Sequence, residues 1–266
     1  MKRASKISAV LFAMVVSSSG FCQQSGPSPD LSGLLASDWL ARWASYSQIK
    51  DSQQALQRPE VRNALLQLLK RENDAFHMRY TDAKGNAISI SEKFGEEYVE
   101  YYADLLGVVE KLVDWQDEHQ VCILAESAYN PDSSFATELA TKGGAQAVPC
   151  LLQMAKNTTQ ENDRYEAIPV LAHLYSLQTG LPLPTRQEIF QSVMASLRDP
   201  SIGVRLATVR ALGTYGTPEV LPALQKLTES DPASRVKNGQ PFFMVRDGAA
   251  KAIQSIQERT KANNGK

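Results

Sequence analysis

Three histidines, His77, His119 and His173, and three cysteines, Cys22, Cys122 and Cys150, are the side chains best suited to metal ligation or nucleophilic chemistry. Their spacing gives them no shared chemistry. The histidines are dispersed, no cysteine belongs to a CxxC pair or stands beside a histidine, and no HExxH, GxSxG or glycine-rich phosphate loop occurs. His173 reads as a residue at a core edge or facing solvent. Cys122 and Cys150 each fall in an apolar helical stripe where a small buried residue satisfies packing, so two buried thiols are expected rather than a disulfide. The acids Glu96, Glu97, Glu100, Asp104, Glu110 and Asp114 form one face of a helix read over residues 96–115, with Tyr98, Tyr101, Tyr102, Leu105, Val108, Val109 and Leu112 turned inward. With no histidine converging on them, a solvated face is expected and not a metal site. Asn157-Thr158-Thr159 matches a glycosylation sequon, which matters only in a secretory eukaryotic cell. No catalytic residue, cofactor or metal is expected.

One stretch offers binding chemistry instead. Asp199 reaches Val204 in five residues, whereas Asp231 reaches Val245 in fourteen, an insertion of nine. That stretch holds Arg235, Lys237, Phe242 and Phe243, a pairing of cations with aromatics that suits an acidic protein surface. The competing reading is that Phe242 and Phe243 pin the loop onto the last helix. A second decoration spans residues 78–90, where Gly85-Asn86 between two short alternating arms predicts a small β-hairpin or structured loop.

The elements that must position these residues are helices. Within residues 197–229, Asp199-Pro200 stops one helix, and Val204, Thr208, Ala211, Leu212 and Tyr215 form an apolar face on the next. Gly216 releases the chain, Pro218 opens another helix, and Val220, Leu221, Leu224 and Leu227 give it a stripe of its own. The unit is a helical hairpin. It recurs: residues 139–154 superimpose on residues 212–227 at an offset of 73, with Leu, Thr, Gly, Pro and Leu coinciding. A second register runs through Arg164, Arg205 and Arg246 at a step of 41, inside the roughly 40 to 47 residues of HEAT and armadillo units. Pro169 falls inside the helix read for the first of these units.

The order Asp-Pro, Val-Arg, Ala-Leu-Gly and Leu-Pro-x-Leu resembles the HEAT repeat, most clearly over residues 135–258. The resemblance implies an all-α solenoid of antiparallel helix hairpins, in which neither helix buries its stripe alone and stacked units make one core. It also implies a polar ladder between units, shared here by Asp199, Arg205 and Arg246, and a protein-binding scaffold as the usual role.

Residues 1–22 put three cations, a ten-residue apolar run from Ile7 to Val16 and small residues in the order of a secretory signal peptide. The run is too short to span a bilayer of about 30 Å as a helix, and no later stretch could. Cleavage after Gly20 or Cys22 without a lipid anchor is expected; an acylated Cys22 is the lesser alternative, because Phe21 departs from the small residue such a site takes. Removing residues 1–22 leaves 25 basic and 29 acidic groups, a net charge of −4 that argues against a nucleic-acid coat. The expected organisation is a signal peptide at 1–22, a flexible leader at 23–33, a helical cap with divergent repeats at 34–130, HEAT-like repeats at 131–260 and a disordered tail at 261–266. Within the cap, Ser37-Asp38 starts a helix carrying Trp39, Leu40, Trp43 and Tyr46. The expected function is an exported, periplasmic or extracellular, non-enzymatic scaffold of the cell envelope that binds another protein. The alternative is a HEAT-like enzyme or lyase/chaperone accessory holding a small ligand in its concave face.

Overall fold

The computed structural model describes residues 29–78, 80–127, 133–177, 180–237 and 239–264. The signal peptide, Cys22 and the first part of the leader lie outside the described residues.

The chain is an all-α repeat fold with two small hairpins. A 3-10 turn, Ser32–Leu35, leads into α1 (Trp39–Ser47), α2 (Gln53–Leu56) and α3 (Pro59–His77). β1 (Tyr80–Thr81) pairs antiparallel with β2 (Ala87–Ile88), and Gly85 takes φ +82° in the turn between them, so the Gly85-Asn86 signal marks a hairpin. Then come α4 (Ile90–Phe94), α5 (Glu96–Glu110), α6 (Glu118–Glu126), α7 (Ser133–Glu138), α8 (Val148–Lys156), α9 (Glu161–Leu177), α10 (Leu183–Ser196), α11 (Ile202–Tyr215) and α12 (Leu221–Ser230). β3 (Arg235–Lys237) pairs with β4 (Gln240–Phe242) before α13 (Met244–Asn264).

Local chemistry sets the boundaries. Ser201 caps α11 by accepting from the Val204 N–H at 3.3 Å, and the Gly216 N–H closes it on the Leu212 carbonyl at 2.7 Å. A 3-10 turn, Pro218–Val220, then feeds α12. The matching unit repeats this: a 3-10 turn, Gly144–Ala147, feeds α8, and the starts of α8 and α12 keep the 73-residue offset. α9 continues through Pro169.

The helix read over residues 96–115 ends at Glu110. Beyond it Asp114 draws the Gln116 N–H and Gln120 accepts from the Asp114 N–H, so side chains compete for backbone groups and the chain turns. α6, Glu118–Glu126, is therefore a separate helix capped by Asp117.

α9, α11 and α13 pack side by side as one layer, with α8 against α9 and α12 against α13. α11 is buried almost all round, with Val204, Thr208 and Val209 fully enclosed and Ala211 and Leu212 nearly so. Its neighbours approach closely because glycines face them: a Cβ on Gly213 would lie 3.3 Å from Ala252 Cα, and one on Gly248 3.2 Å from Val209 Cγ1. One apolar core runs from Leu34 to Ile256.

The cysteines overturn the thiol expectation. Cys122 of α6 and Cys150 of α8 form a disulfide, with Cα atoms 5.6 Å apart. A helical stripe positions each residue, and the packing of α6 on α8 brings the two stripes face to face.

Candidate functional site

Polar groups of two kinds stand on the repeat core, and their partners separate them. The first kind forms rungs at the turns between helices. Arg164 and Arg205 each occupy the fourth position of their helix. Arg164 donates back to the Asn157 and Gln160 carbonyls and forward, through Nε and Nη2, to both oxygens of Asp199 at 2.7 and 3.1 Å. Arg205 does the same one unit on, reaching the Asp199 and Pro200 carbonyls behind it and Asp231 ahead at 2.7 and 3.3 Å. Each guanidinium thus ties the preceding turn to the following one. Both acids also shape their own turn, since Asp199 accepts from the Ser201 N–H and Asp231 from the Ala233 N–H. Arg246 donates to the Asp231 carbonyl at 2.7 Å, and its forward side carries the Phe243 ring, 4.2 Å from the guanidinium carbon.

Burial pushes the Asp199 carboxyl up, but hydrogen bonds from Arg164 and the Ser201 N–H, with the charges of Arg164 and Arg205, outweigh it and hold the group below the usual carboxylate range. The rungs are therefore ionic and structural.

The amino-terminal helices use the same device. Arg42, fourth in α1, donates back to the Ala36 and Ser37 carbonyls and forward to Glu72 at 2.5 and 3.0 Å. Glu72 is fully buried and also accepts from the Tyr98 and Tyr101 hydroxyls at 2.7 and 3.1 Å. Trp39 and Trp43 stack over this network, their ring centroids 5.7 Å apart. Arg62, fourth in α3, reaches back to the Leu56 carbonyl at 2.9 Å.

The second kind of polar group lines a groove of about 800 Å³ between α11 and α13, walled at one end by Phe242 and Met244. Arg210, Lys251 and Arg259 line it with a single acid, Asp247, which Lys251 already holds at 2.8 Å. Arg259 closes α11 by donating to the Gly213 and Gly216 carbonyls. Arg235 is the register partner of Phe242, and cross-strand partners project from one face of a hairpin, so Arg235 belongs to the groove side. Val236, on the opposite face, is 80% exposed.

The sequence-predicted binding residues thus separate. Phe242 lines the groove with Arg235 as its cross-strand partner, Phe243 packs on Arg246 at the base of α13, and the Lys237 side chain lies outside the described residues. Asp199, Arg205 and Arg246 stand at the turns, joined by Arg164 and Asp231. Asp231 had a signal, because Asp231-Pro232 repeats Asp199-Pro200. Arg210, Lys251 and Arg259 had none, since only the packing of α11 on α13 gathers them.

Two buried groups complete the inventory. Burial, with a smaller contribution from the Asp163 charge, raises the Glu166 carboxyl to about 9, and its Oε2 has no hydrogen-bond partner among the described residues. His173 is not at a solvent edge: it is 9% exposed and stacks on Tyr215 at 4.2 Å, and burial lowers its pKa. No cluster of His, Cys, Asp or Glu among the described residues could hold a metal ion, and no described helix is long and apolar enough to cross a membrane.

A search of the curated proteins finds no match to this chain. Residues 180–240 match a family model described as HEAT repeats. That segment contains α10, α11, α12 and β3. With its helices stacked in layers and its turns tied by recurring arginines, the chain is an all-α repeat protein that over residues 180–240 is similar to HEAT repeats.

Proposed function

We propose that this protein is an exported, non-enzymatic scaffold of the cell envelope that binds another protein with the face around β3 and β4. A stack of repeats presents a long rigid surface, and insertions between its units are where such surfaces acquire binding. The observation that carries the reading is the hairpin itself, a nine-residue addition between regular units that sets Phe242 against a groove flanked by cations on a net-acidic chain. Export is supported by the charge and apolar order of residues 1–22 and by the Cys122–Cys150 disulfide, a bond that persists in oxidising compartments.

Affinity capture from the native envelope, followed by mass spectrometry, tests the binding. Arg235→Ala combined with Lys237→Ala is expected to weaken capture while the melting temperature stays nearly unchanged. Capture that survives both this change and removal of the nine added residues moves the site elsewhere, with the β1–β2 hairpin next. Intact mass of the envelope-derived protein tests export: a mature start after Gly20 or Cys22 is expected, and a start at Cys22 carrying acyl chains would make the protein membrane-anchored instead.

A further inference from the structure

We infer that the groove between α11 and α13 receives an extended, acidic segment of the partner; the inference rests on the protein-binding reading above and specifies its chemistry. Gly213 and Gly248 close the seam at the base of the groove, since a Cβ on either would meet the facing helix at 3.2 to 3.3 Å. An occupant therefore lies along the seam of α11 and α13 and does not enter between them, as an extended segment can. Phe242 and Met244 supply an apolar wall for an occasional apolar side chain.

The charges choose the sign of the occupant. Lys251 and the one lining acid, Asp247, offset each other, which leaves the charges of Arg210 and Arg259 on the lining and that of Arg235 on the Phe242 face of the hairpin. Arg259 is committed to backbone carbonyls, and its charge remains at that end of the groove. The side chains of Arg210 and Arg235 are exposed and have no hydrogen-bond or ion-pair partner among the described residues. A guanidinium presents a planar fork that matches a carboxylate in bidentate fashion, so two unengaged forks beside an apolar wall select Asp or Glu side chains flanking an apolar one. Other cations of the repeat core are paired: Arg164 with Asp199, Arg205 with Asp231 and Lys156 with Glu188.

The dimensions set the length. α11 has 14 residues and is about 21 Å long, a distance that an extended chain covers in roughly six or seven residues.

The test uses the full chain and a labelled synthetic peptide of about eight residues, rich in Asp and Glu with one central Phe. Its counterpart has Lys in place of every acid. Fluorescence anisotropy is expected to show binding of the acidic peptide, weaker at high salt, and none of the basic one. Arg210→Glu with Arg235→Glu is expected to weaken binding roughly tenfold, about 1.4 kcal/mol, with an unchanged melting temperature as the control for folding. Equal binding of the basic peptide, or unchanged affinity in the double variant, overturns the proposal. Absence of acidic-peptide binding while partner capture still depends on Arg235 overturns the groove and leaves the scaffold reading standing. Peptide binding that depends on Arg210 in a chain that captures no protein overturns the scaffold reading and leaves the groove.

Discussion

Arg205 and Arg210 lie on the same helix, one at the turn edge of the stack and one at the groove, and the fold treats them oppositely. Arg205 is 9% exposed, and its guanidinium is spent on two carbonyls and Asp231. Arg210 is exposed and engages nothing described. Around the inserted hairpin, Arg246 holds the Asp231 carbonyl and lies over the Phe243 ring, while the exposed Arg235 side chain has no described partner. Charge alone therefore does not mark a binding residue in this protein. Engagement does: an arginine whose guanidinium is held at the turns ties the stack together, and one left unengaged is available to a partner.

The largest effect should come where a rung is most enclosed. Glu72→Ala leaves Arg42 Nε and Nη2 and two tyrosine hydroxyls without their fully buried acceptor and should cost about 3 to 5 kcal/mol in urea unfolding. Asp199→Ala, at a less enclosed rung whose acid holds no tyrosine hydroxyl, should cost about 1 to 3 kcal/mol. Equal costs would show that enclosure does not grade the rungs.

Leu212→Ala tests the core beneath the rungs and should cost about 2 to 5 kcal/mol, because Leu212 is 4% exposed between packed helices. A loss well below about 1 kcal/mol would place it outside the core. Cys122→Ser with Cys150→Ser opens a loop of 28 residues between α6 and α8 and should cost about 2 to 4 kcal/mol, read as a lower melting temperature. No change on reduction would show that the packing of α6 on α8 suffices alone.

A smaller effect separates satisfied from unsatisfied acids by pH. The Glu166 carboxyl titrates near 9 in the folded chain, above its unfolded value of about 4.3, so the folded state binds the proton more tightly. Its contribution is complete below about pH 4 and is lost as pH rises towards 9. Asp199 runs the other way: its depressed folded pKa makes its contribution present above about pH 4 and lost as pH falls through the folded value. Unfolding free energy should therefore decline from neutral to alkaline pH in the wild type, and Glu166→Gln should flatten that slope. A slope unchanged in the variant would assign it to another group.

Much of the architecture was legible because it repeats. The 73-residue offset survives in the starts of α8 and α12, and the arginines at a step of 41 stand on α9, α11 and α13. Asp231 could have been found from its Asp-Pro dipeptide. Arg42 and Glu72 were not legible as a rung, because they are 30 residues apart and the aromatic residues that enclose them hide the repeat pattern. The disulfide was hidden by its own fit, since Cys150 occupies a position where any small buried residue would pack. The groove was invisible for a different reason. Arg210 and Lys251 look like ordinary solvated cations along the chain, and only the approach of α13 to α11 makes them neighbours of one surface.

The most direct test of the division between rung and groove arginines measures melting and binding on the same two variants. Arg205→Ala should lower the melting temperature by several degrees, at roughly 2 to 4 °C per kcal/mol for a chain of this size, while the folded protein still binds the acidic peptide below its transition. Arg210→Glu with Arg235→Glu should leave the melting temperature within about 2 °C, the shift expected from surface substitutions, and weaken peptide binding roughly tenfold. The reverse pattern, a stable Arg205→Ala that no longer binds or a groove variant that melts early and binds normally, would contradict the account.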